Sequence, residues 1–163
     1  MFNNENDMKN IIRGWLENSG LKVKEGIYVK TFEIDIAAIG KKELTKNGFK
    51  SGKNPHVYAF ETKIATTSKL VRHVVEQAII RLLAVDYVYI VVPKEAEVWV
   101  NDMQKELQKP PELVKRYASG PYSKKVGLIS VTPNGEINIV REAQKSGLVI
   151  NELRDIVIKK LRS

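Results

Sequence analysis

The stretch Phe32-Glu33-Ile34-Asp35-Ile36-Ala37-Ala38-Ile39 decides how the rest of the chain is interpreted. β-Branched and aromatic residues alternate there with carboxylates, which is typical of a strand. Successive side chains of a strand point to opposite faces, so we expect Glu33 and Asp35 on one face and Ile34 and Ile36 on the other. Charges are rarely buried in a sheet unless they are paired or bind a metal, so these carboxylates require an explanation.

A second stretch, His56-Val57-Tyr58-Ala59-Phe60-Glu61-Thr62-Lys63, has the same character. Its alternation places Glu61 and Lys63 on one face, with Phe60 and Thr62 opposite. If the two strands pair, three carboxylates and one ammonium group converge on a single patch.

The segment between the two strands, Gly40 to Pro55, holds three glycines, one proline and five lysines against one glutamate, a net charge of +4. This composition predicts a flexible loop. Two roles are open for it, a solvated hairpin connection or contact with backbone phosphate. Its lysines are Lys41, Lys42, Lys46, Lys50 and Lys53.

The overall charge favours a polyanionic partner. The chain has 163 residues, enough for a single domain (1–163) with a sizeable core. It carries 27 Lys and Arg against 19 Asp and Glu, a net charge of +8. Nucleic acid or an anionic membrane surface would suit this balance.

The absence of cysteine excludes a disulfide framework, a thiolate metal site and a cysteine nucleophile. Residues 1–9 are polar and lack the apolar core of a signal peptide. No run approaches the roughly 20 apolar residues that a membrane span needs. We therefore expect a cytoplasmic protein with no membrane association. Abundant Lys, Glu and Ile without Cys is typical of a thermophile.

The remaining elements follow from hydrophobic periodicity and turn residues. Val88 to Pro93 is a continuous apolar run, typical of a central, parallel strand. Pro133-Asn134-Gly135 marks the turn of a β-hairpin. The other predicted elements are helices at Asp7–Asn18, Lys69–Val85, Glu95–Gln108 and Leu148–Leu161, a short helix through Tyr117, and strands at Leu21–Val29, Val126–Thr132 and Glu136–Val140.

The order helix, three strands, helix, strand, with an acid in the second strand and Glu-x-Lys in the third, resembles the PD-(D/E)XK nuclease superfamily. The matching residues are Asp35, Glu61-Thr62-Lys63 and Gln77. The resemblance covers about residues 7–93 and leaves 94–163 as a carboxy-terminal extension. It implies the restriction-endonuclease-like α/β fold, in which helices flank a central mixed sheet with an α-β-β-β-α-β core, here followed by a hairpin and a helix.

The residue types fit phosphodiester hydrolysis. The carboxylates of Asp35 and Glu61 and the carbonyl oxygen of Thr62 are ligands that Mg²⁺ or Mn²⁺ prefers. Glu33 either joins the metal ligands or pairs with a lysine. Lys63 would orient or deprotonate the attacking water, or neutralise charge on the phosphate.

Other residues are assigned by the resemblance with their alternatives open. Gln77 would support the site by hydrogen bonding, or is an exposed amide on the helix margin. Some branches of the superfamily use an acid from the first helix, here Glu5, Asp7 or Glu17. Lys69 and Arg72, with the five loop lysines, are candidates for contact with the nucleic-acid backbone or form a solvated face.

The resemblance implies a metal-dependent endonuclease acting on branched or duplex DNA, nearest in pattern to archaeal Holliday-junction resolvases and Mrr-like endonucleases. A homodimer joined through the carboxy-terminal extension is one option. A catalytically inactive nuclease-like module that binds nucleic acid or protein is the alternative. A basic structural protein whose strand charges form salt bridges is a third interpretation.

Overall fold

A single mixed sheet organises the part of the chain that the computed structural model describes, residues 2–64, 68–96 and 120–163, the side chains of 68–72 and 120–121 excepted. Its six strands lie side by side in chain order. Neighbouring strands are antiparallel except β3–β4 and β4–β5, which are parallel. The strands are β1 (Lys22–Val29), β2 (Phe32–Thr45), β3 (Gly48–Thr62), β4 (Tyr87–Pro93), β5 (Gly127–Val131) and β6 (Ile137–Arg141).

Helices cover both faces of this sheet, as an α/β fold requires. Met8, Ile12 and Leu16 of α1 (Glu5–Asn18) are buried in a core that also contains Phe60. The opposite core contains apolar residues of α2 (Ser68–Ile79) and α3 (Asn151–Arg162). No helix within the described ranges is long and apolar enough to cross a membrane.

Several predicted elements are confirmed. The β4 strand is central and parallel to both neighbours, as its continuous apolar run predicts. The hairpin of β5 and β6 turns at Gly135, whose φ of +92° explains the glycine. Helix α1 starts two residues before the predicted position, because the Asn4 side chain accepts the N–H of Asp7 at 3.0 Å and caps the helix there.

The prediction of a flexible loop at Gly40–Pro55 is wrong. Here β2 and β3 continue as a two-stranded arm that turns at Lys46–Asn47. Gly48 follows the turn with a φ of +104°, a conformation that favours glycine. The dipeptide Asn47-Gly48 is therefore the sequence signal for this hairpin, although the lysine-rich composition favours a loop. We call residues 41–55 the basic arm.

The alternation of side chains breaks at Asp35. Ile34 lies in the core beneath α2 and α3, whereas Ile36 lies in the core beneath α1. The prediction that Ile34 and Ile36 share a face is therefore wrong. Gly26 lies opposite this point on β1 with a φ of +67°, outside the range of an ordinary strand.

Two helix boundaries also differ from the prediction. Helix α2 ends at Ile79 and is followed by a 3₁₀ turn at Ile80–Leu83, so the predicted helix to Val85 is too long. Helix α3 begins at Asn151, three residues after the predicted start. The predicted helices at 95–108 and through Tyr117 lie outside the described residues, except for a 3₁₀ turn at Lys94–Ala96.

Two glycines offer a matched test of the packing. A Cβ at Gly127 would overlap the Tyr89 ring and lie 2.7 Å from the backbone nitrogen of Ala143, whereas a Cβ at Gly14 in α1 meets nothing within 4 Å. We expect Gly127→Ala to lower the free energy of unfolding by about 2 kcal/mol through overpacking. Gly14→Ala should raise it by about 1 kcal/mol through helix propensity. Urea unfolding measures both; equal effects of the two substitutions would contradict the packing.

Candidate functional site

The strands β2 and β3 separate at the end of the sheet that carries the predicted acids. Their ladder reaches Ile36 and Phe60 and does not continue to the next pair. Beyond it, Glu61 Oε2 accepts the N–H of Asp35 at 3.1 Å, and Asp35 Oδ2 accepts the N–H of Thr62 at 3.0 Å. Carboxylates thus replace main-chain acceptors between the strands, which fixes the position of both acids.

Lys63 follows directly after β3 and approaches the first helix. Its Nζ lies 3.4 Å from Glu5 Oε1, and both side chains are partly exposed. Of the three acids proposed from the first helix, Glu5 is the one that faces the other predicted site residues. Glu17 pairs with an arginine of its own helix, and Asp7 lines a different cleft.

One polar cleft of about 240 Å³ brings these residues together. All four residues predicted as catalytic line it, although they come from β2, from the end of β3 and the residue after it, and from α2. The acid from α1 completes the set. The lining residues are Glu5, Glu33, Asp35, Glu61, Thr62, Lys63, Val74, Gln77 and Arg81.

Sequence reasoning missed Arg81 as a site residue. Its Nε lies 3.0 Å from Glu61 Oε1, and the two side chains are only 12% and 7% exposed. The pair is close but poorly aligned, because the Nε donor has no hydrogen-bond acceptor in good geometry among the described residues. Nη2 donates to the carbonyl oxygen of Glu33 at 2.7 Å, and Nη1 to that of Gln77. The available signal was the spacing of four residues from Gln77, on the same helix margin.

Burial gives Glu61 an unusual pKa. Desolvation raises the pKa of this carboxyl to about 8, and the adjacent Asp35 carboxylate acts in the same direction. The Arg81 guanidinium and the N–H of Asp35 oppose the shift. Glu61 therefore carries its proton across much of the neutral range in the metal-free protein. A shift of this kind in a cleft is typical of functional sites.

Glu33 lies at the edge of the cleft and contacts Tyr28 rather than Lys63. Its carboxylate lies beside the Tyr28 hydroxyl on the neighbouring strand β1 and raises the pKa of that hydroxyl. Because its carbonyl oxygen also accepts from Arg81, Glu33 links β2 to α2 through its backbone.

The lysines of the basic arm do not reach the cleft. The cleft lies at the amino-terminal end of α1, where Glu5 meets Lys63. The arm lies at the other end, where Phe49 packs on Trp15 with ring centroids 5.0 Å apart. A helix of 14 residues is about 21 Å long, which sets the scale of the separation. The side chains of Lys69 and Arg72, also predicted to contact nucleic acid, lie outside the described part.

Asp35 and Glu61 are the two residues best placed to hold a cation. No three His, Cys, Asp or Glu side chains in the described ranges come close enough together to form a metal site by themselves. The donor chemistry still suits Mg²⁺, which is often held by one or two carboxylates and retains several waters. The two carboxylates are joined through the backbone of Asp35 and Thr62, which keeps them adjacent.

Comparisons with protein-family models, with curated proteins and with solved structures find no match to this chain. The resemblance to the nuclease superfamily therefore stays a prediction that depends on the residues of this chain.

The pKa of Glu61 has a testable consequence for stability. Because the folded-state pKa is about 8 against an ordinary 4.5, the folded protein holds a proton that the unfolded chain releases in this range. The contribution of Glu61 is fully present below pH 4.5 and is lost as the pH rises to about 8. We therefore expect the melting temperature of the wild type, relative to that of Glu61→Gln in chelator, to decrease as the pH rises from 4.5 to about 8.

Glu76→Gln serves as the control, because Glu76 is exposed on α2 and does not line the cleft. It should leave the pH profile unchanged. A constant difference between the wild type and Glu61→Gln across this range would contradict the raised pKa.

Proposed function

We propose that this chain is a metal-dependent deoxyribonuclease that hydrolyses phosphodiester bonds of duplex or branched DNA. One observation carries the proposal: residues of four elements distant in sequence line one polar cleft, and they include every residue that the nuclease pattern selects. If these side chains only formed ion pairs, the residues that line the cleft would have no reason to match the nuclease pattern. The chain charge of +8 also suits a polyanionic substrate.

The restriction-endonuclease-like fold belongs to the same proposal. The described order α1, β1, β2, β3, α2, β4 supports it. So does the position of the acids, where β2 and β3 separate. The proposed homodimer stays a prediction, for which sedimentation equilibrium is the measurement.

Asp35, Glu61 and the carbonyl oxygen of Thr62 would hold Mg²⁺ or Mn²⁺. When bound, such a cation lowers the pKa of a coordinated water and offsets charge on the phosphate. Glu61 must give up its proton to act as a ligand, since only the carboxylate form is a strong donor. Asp35 carries a second negative charge beside it.

Lys63 and Glu5 act at the open side of the cleft. The Lys63 ammonium group is partly exposed, so a phosphate oxygen can approach it. It is suited to stabilise charge that develops on the phosphate. Glu5 lies 3.4 Å from Lys63 and orients it. Arg81, buried against Glu61, positions that carboxylate, and Gln77 places an amide at the cleft margin.

Cleavage assays test the proposal directly. The wild type, Asp35→Asn and Lys63→Met are incubated with labelled linear duplex, single-stranded and four-way-junction DNA, in Mg²⁺, Mn²⁺ or chelator. We expect metal-dependent cleavage by the wild type. Both variants should lose at least about 10²-fold in rate, because each removes a charge from the reacting centre.

Glu76→Gln removes an exposed charge from the same helix that lines the cleft and should cleave at the wild-type rate. Circular dichroism of each variant separates a loss of chemistry from a loss of folding. Cleavage that survives in both Asp35→Asn and Lys63→Met would assign the activity to another site or to a contaminant.

An inactive module that binds nucleic acid is the second candidate. One observation favours it: both carboxylates already accept backbone N–H groups, and Glu61 also faces Arg81, so the cluster has partners without a metal. Salt-dependent DNA binding without cleavage in Mg²⁺ and in Mn²⁺ would select this candidate over the enzyme.

A further inference from the structure

We propose that the basic arm binds the backbone of duplex DNA about six base pairs from the carboxylate cleft, and thus grips the flanking duplex rather than the scissile phosphate. The inference rests on the proposed deoxyribonuclease function, and it specifies the substrate of that site as a duplex that continues beyond the cleavage position. Four properties of the arm carry it: its charge, its rigidity, its distance from the cleft and the burial of its apolar side chains.

Most ammonium groups of the arm form no ion pair within the described part of the protein. Lys41, Lys46, Lys50 and Lys53 are exposed, and none forms an ion pair with a described residue. The one acid of the arm, Glu43, lies 3.5 Å from a ring nitrogen of His56. Four ammonium groups are therefore available to phosphates, and their binding would release counterions.

The arm is held rigidly against the rest of the molecule. Phe49 packs on Trp15 of α1. The Tyr58 hydroxyl donates to the carbonyl oxygen of Lys42 at 2.7 Å and accepts the N–H of Leu44 at 3.3 Å. At the turn, the N–H of Lys46 donates to Glu142 Oε1 at 2.8 Å. A preformed surface loses little conformational entropy on binding, unlike a flexible loop.

The distance between arm and cleft suits a continuous duplex. Helix α1 places Glu5 at the cleft, and Gly20, just beyond its other end, lies beside Lys42. Its length of about 21 Å sets the scale of the separation between the cleft and the base of the arm near Lys42, which corresponds to about six base pairs at 3.4 Å each. A scissile phosphate in the cleft and lysine contacts on the arm can therefore belong to the same duplex.

The apolar side chains of the arm point inward. Leu44 is buried, and Phe49 packs on α1. The large apolar side chains that the described residues expose lie elsewhere, at Tyr28, Ile80, Tyr122 and Ile150. A surface that binds membranes usually inserts apolar groups besides its lysines, so these features favour a nucleic-acid backbone over an anionic membrane.

A charge-matched pair of variants tests the arm. Lys46→Gln/Lys50→Gln removes two exposed charges from the arm. Lys159→Gln/Arg162→Gln removes two exposed charges from α3, on the opposite face of the sheet. Binding to a duplex of about 24 base pairs is measured by fluorescence anisotropy in chelator over a salt series. Each lost phosphate contact reduces the slope of log K against log salt by about 0.9.

We expect the arm variant to lower that slope by roughly 2 and the α3 variant to leave it unchanged. Equal slopes for the two variants would overturn the proposal. So would binding of the wild type to phosphatidylserine vesicles with none to the duplex.

The position on DNA is tested with a tethered probe. The chain contains no cysteine, so Asn47→Cys gives one attachment point at the tip of the arm and Asp155→Cys one on α3. An iron–EDTA group attached to the thiol of the Asn47→Cys variant should cut the bound duplex backbone, and the α3 probe should not. Equal cutting by both probes would overturn the proposal.

These experiments distinguish a failure of the arm proposal from a failure of the deoxyribonuclease proposal. The binding and probe measurements need neither Mg²⁺ nor hydrolysis by the protein itself. If the duplex binds through the arm but is never cleaved, the arm proposal stands and the deoxyribonuclease proposal fails. If cleavage occurs and the arm variant binds like the α3 variant, the arm proposal fails alone.

Discussion

The two carboxylates between the separating ends of β2 and β3 are the interaction on which the cleft depends. The N–H groups of Asp35 and Thr62 lose their ladder partners where the strands part, and an unpaired buried donor costs about 1–3 kcal/mol. The side chains of Glu61 and Asp35 supply the missing acceptors, each reaching across to the opposite strand. The strands can therefore separate and still hold a fixed spacing. The groups that keep the cleft open are also those suited to bind a cation.

Stability alone is a weak reason to keep Glu61 and Arg81 where they are. Burial of Glu61 disfavours its charged form strongly enough to raise its pKa to about 8, and an apolar pair of similar volume is often at least as stable as a buried ion pair. The poor alignment of the Arg81 Nε group points the same way, since it leaves a buried donor without a good acceptor among the described residues. The guanidinium nevertheless joins the backbone of Glu33 to that of Gln77. Arg81 thus couples the charge of the cleft to the position of α2 on the sheet.

Local patterns predicted the order of elements and the central parallel strand, because these features depend on periodicity within one element. The set Asp35, Glu61, Lys63 and Gln77, which lines one cleft, was predicted by the resemblance to the nuclease superfamily and not by periodicity. The sequence could not predict which acid of the first helix lies at the cleft, because that depends on where α1 crosses the sheet. The structure places Glu5 there, beside Lys63. The exchange of faces between Ile34 and Ile36 depends on a distortion opposite Gly26, which alternation does not reveal.

The register of β2 and β3 explains why acids and lysines that are close in sequence lie far apart. In an antiparallel pair, residues equally distant from the turn lie side by side, and residues near the turn lie far from them. The pairing register changes along the two strands. Near the turn Thr45 pairs with Gly48, and continuing that register would pair Ile36 with residue 57, but Ile36 pairs with Phe60 instead. The three extra residues lie within 52–55, where Pro55 has no N–H for the ladder. This insertion brings Asp35 beside Glu61, so a strand pairing without it would have set the two carboxylates out of register.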